Sequence, residues 1–420
     1  MSMAIREGRW HVPVRLDVER WATRRTSKRV LVVVHTVTSG QRVLEAVRML
    51  EGDPRVQVCF TAAPDVFSNG VSAFLERLGG LVLPWDQAAQ TRFDLALAAS
   101  YGSLHELHSP VLVVPHGAGH NKMVPERRRG RLAAARGTYG LARQMLVRDG
   151  AVIPEAIVLA HEEERSRLGR ECPEALPVAA VVGDPIYDRI QASLPSRALY
   201  REALRAGTRQ RLVVVCSTWG PASLLDRGWE VLHRLVRELP REEFRVAALL
   251  HPHVWNAHSE WQVHSWLAEL GRAGLAVVSQ HSEWVGPLAA ADVIVGDHGS
   301  ATLYGTATGA PVLLAEGTGA DLDPDAPMTE LASFAPRLRA DRPLARQLSR
   351  DARASVRPRY AHVAGRITSE PGRFTRLMRG LIYRKLRIRP PGGPPGAPVT
   401  ERAALPQLAQ SAESSSLVVP

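Results

Sequence analysis

At 420 residues the chain is too long for one ordinary core, and 45% hydrophobic against 23% charged residues excludes a wholly disordered chain. The formal charge of +11 would suit nucleic acid, an anionic membrane or acidic substrates. Only Lys28, Lys122 and Lys385 are lysines, however, so the excess is arginine bias and no nucleic-acid partner is expected.

Taken in chain order, short apolar runs alternate with amphipathic stretches. RVLVVVH (29–35), VQVCFT (56–61), DLALAAS (94–100), VLVVPHG (111–117), IVLA (157–160) and VAAVVGD (178–184) read as strands of a parallel sheet covered on both faces. Between the first two, Val43, Val47 and Leu50 recur at helical spacing and make a βαβ opening. A polar helical connector follows residue 189, and the pattern restarts with LVVVCS (212–217), FRVAALL (244–250), LAVVS (275–279), DVIVGD (292–297) and PVLLA (311–315). Residues 227–239 carry one apolar stripe through Val231, Leu232, Leu235, Val236 and Leu239. The expected division is an N-terminal extension (1–28), two Rossmann-like halves (29–195 and 196–345), C-terminal helices (346–389) and a disordered Pro/Gly/Ser-rich tail (390–420). The last helix interleaves Arg376, Arg379, Arg384 and Lys385 with Leu377, Leu381 and Ile382. That pattern suits either an anionic membrane surface or return onto the first half.

Cys59, Cys172 and Cys216 are widely spaced and form no CxxC pair, which argues against a disulfide framework or structural zinc and for a reducing cytoplasm. No apolar core of signal-peptide length opens the chain and no run of about 18 apolar residues occurs, so neither secretion by that route nor membrane spanning is expected.

In open α/β sheets, ligands bind beyond the carboxyl ends of strands. Four such places stand out. His116, Gly117, Gly119 and Lys122 follow the fourth run, where glycines let backbone approach a ligand and an imidazole can serve as general base. Thr218, Trp219, Gly220 and Ser223 open the second half with hydroxyls and N–H groups suited to phosphate. His251, Pro252 and His253 end the next strand, and with His258 and His264 nearby a zinc site competes, although no cysteine or carboxylate lies at matching spacing. Asp297, Gly299, Ser300 and Thr302 carry a strand into a helix whose N-terminus would receive a diphosphate, or whose cap Asp297 or Ser300 would supply.

At these places the chain resembles the GT-B superfamily, and most closely the CDP-glycerol glycerophosphotransferases, with motifs HGTPxK, GxPRxD, TWR, HP and SDYSS. His116-Gly117, Gly183 to Asp188, Thr218-Trp219, His251-Pro252 and Gly296 to Ser300 match them in order over about 200 residues. The resemblance implies an α/β GT-B fold, two Rossmann-like doubly wound parallel-sheet domains facing a cleft, the first for acceptor and the second for donor. It implies His116 as base for an acceptor hydroxyl and His251 as the residue that stabilises or protonates the leaving phosphate. Lys122, Thr218, Trp219, Pro252, Asp297, Gly299, Ser300 and Thr302 would hold a nucleotide-activated donor, CDP- or UDP-linked, with no other cofactor and no metal. The acceptor would be a polymer or lipid-linked hydroxyl at the inner face of the cell membrane. The sequence departs from the pattern at Gly220, where TWR has arginine, and at Tyr187, where GxPRxD has arginine, unless Arg189 replaces it. HGTP reads His-Gly-Ala-Gly, Lys122 sits one residue late, and Tyr304 stands where an acidic residue commonly follows SDYSS. Alternatives are an inactive nucleotide-binding module, a metal hydrolase on His251, His253 and His258, and an enzyme similar to the UDP-N-acetylglucosamine 2-epimerases. The last family pairs its second-half loop with arginine and glutamates that this loop lacks.

Overall fold

The computed structural model describes residue 24 and residues 26–124, 136–315, 321–348 and 357–393. The expected extension and tail therefore lie outside the described residues, apart from their inner ends.

The first sheet has seven parallel strands: β1 (Lys28–Val34), β2 (Val56–Ala62), β3 (Leu81–Leu83), β4 (Leu95–Ala98), β5 (Val111–Val113), β8 (Ala156–Leu159) and β9 (Ala179–Val181), in the order β3-β2-β1-β4-β5-β8-β9. A two-stranded hairpin, β6 (Val147–Arg148) with β7 (Ala151–Val152), interrupts the sequence between β5 and β8. The second sheet has six: β10 (Arg211–Ser217), β11 (Phe244–Leu250), β12 (Ala276–Val277), β13 (Val293–Gly296), β14 (Val312–Ala315) and β15 (Arg337–Leu338). Their order is β12-β11-β10-β13-β14-β15, again all parallel. Each sheet thus winds outward from its first strand in both directions, and its topological switch point falls between β1 and β4 in one half and between β10 and β13 in the other.

Continuous apolar strands are stable here because both faces are covered. In β1, Val30, Val32 and Val34 enter one core while Leu31 and Val33 enter the core on the opposite face. The helical stripe anticipated at 227–239 is helix Trp229–Arg237, whose Leu232, Leu235 and Val236 are buried under the second sheet. Helix Val37–Val47 begins with a capping box: the Thr36 side chain accepts the Ser39 N–H, and the Ser39 hydroxyl accepts the Thr36 N–H at 2.9 Å. The edge strands β3 and β15 were not anticipated.

The chain crosses between halves twice. Helix Pro185–Ser193, placed with the first half by the sequence reading, contributes Ile186 and Ile190 to the core of the second. Near the other end, helix Arg357–Gly365 packs Tyr360 and Val363 on the second half, whereas helix Phe374–Leu386 returns to the first. Its Phe374, Met378, Leu381, Ile382, Tyr383 and Leu386 are buried beside Val30 and Leu95. At about 1.5–3 kcal/mol per buried side chain this docking stabilises by on the order of 10 kcal/mol. The apolar face of the helix is therefore consumed by the core and is not free to enter a bilayer. Among the described residues no helix is long and apolar enough to cross a membrane, and Cys59, Cys172 and Cys216 are buried and unpaired.

Candidate functional site

The carboxyl edges of the two sheets face each other, and each pair of loops that meets across the gap comes from strand ends. Thr38, after β1, approaches His251, after β11; the Thr38 Oγ1 to His251 Nε2 distance is 3.5 Å. Phe67, after β2, touches the Trp219 ring after β10 at 5.0 Å between centroids. The Ala118 N–H, after β5, donates to Ser300 Oγ after β13 at 3.2 Å. Gly117 has to be glycine for this closure, since a Cβ there would lie 2.5 Å from the Ser300 hydroxyl.

His116 and His251 stand on opposite walls of this cleft. The His116 ring is exposed to cleft water while the mass of both halves surrounds it. Burial between the halves, reinforced by the charges of His120, Lys122 and Arg42, lowers its pKa to about 4. Its ring meets the edge of Tyr139 at 5.5 Å. His251 is the N-cap of helix Pro252–His258, with Pro252 in the first turn where its missing N–H costs nothing. The His251 Nδ1 accepts the His253 N–H at 3.1 Å. A backbone N–H can only donate, so Nδ1 holds the lone pair and the neutral ring carries its proton on Nε2, the atom aimed across the cleft at Thr38. Burial, with Lys122, His253 and His116 nearby, lowers the His251 pKa to about 3. This ring is a neutral hydrogen-bond donor, able to stabilise a leaving phosphate without first being protonated.

Lys122 lies among these groups. Its charge acts on His116, His251 and His298 and on Asp297, while burial pulls its own pKa down. The Lys122 backbone is fixed from both halves, pairing with Leu322 and accepting the Tyr139 N–H at 2.7 Å. The Trp219 ring packs at a tilt against His253, 4.4 Å between centroids, and lies 6.3 Å from His251. At Gly220 the backbone has φ +88° with nothing within 4 Å of a built Cβ, so the loop has settled into a conformation that an arginine would adopt only with strain.

No protein-family model matches the chain, and no curated protein sequence does. Solved structures do match. A histidine-to-alanine variant of the wall teichoic acid polymerase TagF superposes with a TM-score of 0.58 at 12% identity, covering 86% of this chain and 89% of that one. A histidine-to-asparagine variant of TagF soaked with CDPG gives 0.56 at 12% identity, covering 86% and 90%. This chain has the GT-B fold.

Within the GT-B cleft several assignments from sequence need correction. Asp297 is turned into its own loops: it is fully buried, and its carboxylate accepts the N–H groups of Thr218 and Leu224 at 2.8 Å and of Gly299 at 2.9 Å. It staples the β10 and β13 loops together, and Thr218 is held by it with its backbone. Thr302 is likewise fully buried, with Oγ1 turned toward Gly296 and no partner. Arg189 does not stand in for the absent motif arginine, because it forms ion pairs with Glu45 of the first half and Glu283 of the second. Gly299 is buried as the N-cap of helix Ser300–Gly305. Replacing Asp297 by alanine orphans three N–H groups at about 1–3 kcal/mol each. We expect it to lower stability by several kcal/mol in chemical denaturation; a variant as stable as wild type would mean these contacts are inert.

A buried network that no sequence motif marks joins the halves. Arg42, from helix Val37–Val47, donates to Asp184 Oδ2 at 2.6 Å and to the Pro115 carbonyl at 2.8 Å. The Tyr304 hydroxyl donates to the same Asp184 oxygen at 2.8 Å. Asp184 Oδ1 caps helix Pro185–Ser193 through the Ile186 and Tyr187 N–H groups. The hydroxyl at position 304 thus occupies this network, where a carboxylate would oppose Asp184. His298, which lies within the Gly296 to Ser300 motif without an assigned role, is buried beside Lys122 with Nδ1 unpartnered and its pKa lowered to about 4 by burial and that charge.

The rival metal reading finds no assembled ligand set. His251 Nδ1 is engaged by backbone, His253 packs against Trp219 and His258 against Trp266. Among the described residues no group of three or more His, Cys, Asp or Glu side chains is placed to hold an ion.

Proposed function

We propose that the chain is a transferase that uses a CDP-linked donor and moves glycerol phosphate to a hydroxyl on a polymer or lipid-linked acceptor. The observation that carries this reading is that His116 and His251, one from each half, face the same cleft within electrostatic reach of each other and of Lys122. The similarity to TagF, a wall teichoic acid polymerase that was soaked with CDPG, supports the choice of donor.

In this reading His116, neutral and open to the cleft, takes the proton from the acceptor hydroxyl as its oxygen attacks the phosphorus of the glycerol phosphate. The new P–O bond forms as the bond to the nucleotide's phosphate breaks, and cytidine monophosphate leaves. His251 Nε2–H and the Lys122 ammonium meet the charge that builds on the leaving oxygens. Lys122 supplies the positive charge that Gly220 and Tyr187 do not, while Trp219 provides a flat wall 6.3 Å from His251. The low pKa of His116 keeps it deprotonated at neutral pH, and a bound anionic donor raises that pKa and strengthens the base.

A thermal-shift panel of CMP, CDP, UMP, UDP and ADP against wild type and Lys122→Ala tests the donor assignment. A ligand at about 100 times its Kd stabilises by about 2.7 kcal/mol. We expect the cytidine nucleotides to raise the melting temperature of the wild type and to lose that effect in Lys122→Ala. Absence of any shift at millimolar nucleotide would sink the reading.

A further inference from the structure

The strands of the first sheet begin at the edge opposite the cleft, and a pocket of about 840 Å³ opens there. Three distant segments converge on it. Lys28 and Arg29 open β1, Arg92 precedes β4, and Arg384, Lys385 and Arg387 come from the end of helix Phe374–Leu386. Two of the six cations are neutralised on the spot: Lys28 pairs with Asp94 at 2.9 Å and Lys385 with Glu155 at 3.0 Å. Among the described residues no carboxylate pairs with Arg29, Arg92, Arg384 or Arg387, and all four are exposed.

Four unpaired guanidinium groups around one concavity repel each other, and low-dielectric walls focus their field into it. An ordinary surface intersperses signs, as this one does elsewhere, for example at Arg170 with Asp325 and Arg237 with Glu269. The planar fork of arginine matches phosphate oxygens in pairs. The two local carboxylates are already spent on lysines, so the guanidinium groups are left for a ligand.

We infer that this pocket is a second anion site, separate from the cleft, for a ligand carrying two or more phosphate groups in close succession. Such groups occur in a soluble oligophosphate and in adjacent headgroups of an anionic lipid surface. In the second case the protein meets the bilayer through charge alone, because the apolar face of the terminal helix is in the core.

The test uses the full chain as wild type, as Arg384→Gln/Arg387→Gln and as Lys122→Ala. Each is titrated calorimetrically with sodium tripolyphosphate and sedimented with phosphatidylglycerol or phosphatidylcholine vesicles, at roughly 0.15 M salt. A soluble ligand predicts a tripolyphosphate site that persists in Lys122→Ala and weakens about tenfold or more in the double variant, with no vesicle binding. A lipid source predicts pelleting with phosphatidylglycerol only, lost in the double variant and competed by tripolyphosphate. The double variant keeps the cytidine-nucleotide shift in either case, so failure here and failure of the cleft assignment are read separately. If neither probe binds, or both bind the double variant as well as wild type, the inference is overturned.

Discussion

Replacing His116 with alanine should lower the release of cytidine monophosphate from CDP-glycerol by roughly 10²- to 10⁴-fold, the usual contribution of a positioned base. The nucleotide-induced rise in melting temperature should survive, because the proposed reading gives His116 to the acceptor and not to the donor. His251→Ala should cost a comparable factor by removing the Nε2–H donor. Its conservative partner, His251→Gln, keeps an N–H near the Nε2 position and should recover part of the loss. The pH dependence carries a sharper signature. With His116 held at about 4 in the free protein, kcat/KM should stay level from pH 7 down to roughly pH 5 and fall only below that. An acid limb centred near 6.5 would show that the ring is not crowded as described, and an unchanged rate in His116→Ala would remove it from the chemistry.

The same depressed values bear on stability. Both imidazoles take up protons more readily in the unfolded chain than in the folded one. Their contribution is therefore intact above about pH 6.5 and is lost as the pH falls toward the folded-state values of about 4 and 3.

The second large effect concerns Arg42. Its guanidinium and the Asp184 carboxylate are both buried, and Arg42→Met leaves an uncompensated charge at Asp184 beside the Tyr304 hydroxyl. Breaking such a pair costs about 3–5 kcal/mol, which corresponds to a fall in melting temperature of roughly 10 °C. The double substitution Arg42→Met/Asp184→Asn should lose less than the sum of the single losses, since the second change removes the charge that the first one strands. Additive losses would mean that the two groups do not interact. Because Arg42 also holds the Pro115 carbonyl, the single variant should disturb the His116 loop and depress turnover even at temperatures where it remains folded.

The sequence displayed most of the sheets because parallel strands covered on both faces are continuous apolar runs, as in β1, β10 and β11. It concealed β3 and β15, edge strands of three and two residues: Leu81-Val82-Leu83 is apolar but too short to tell from a loop or helix fragment, and Arg337-Leu338 carries no apolar run at all. His116, Lys122 and His251 each closely follow a strand end, and topology brings such ends to one cleft. Asp297 and Thr302 follow the same rule but are buried in their own loops, since spacing cannot say whether a side chain turns into a cleft or back onto its own loop. The Arg42, Asp184 and Tyr304 network as such left almost no trace in the sequence. Its members lie 142 and 262 positions from Arg42 along the chain and sit in an arginine-rich composition where no single arginine stands out. The one available signal was Asp184 followed by Pro185, a helix-start pair whose second carboxylate oxygen needed a partner.

The return of helix Phe374–Leu386 to the first half also sets an order of assembly. Residues next to Val30 and Leu95 in the finished core arrive more than 270 positions after them in synthesis. At about 5–20 residues per second, the first sheet waits tens of seconds on the ribosome with one core only partly covered, by helix Val37–Val47 and its neighbours, while the second half is made and can close first. Production of this protein is therefore most exposed to aggregation until helix Phe374–Leu386 emerges, and a nascent chain stalled before it would be a natural client for a chaperone that shields apolar strands.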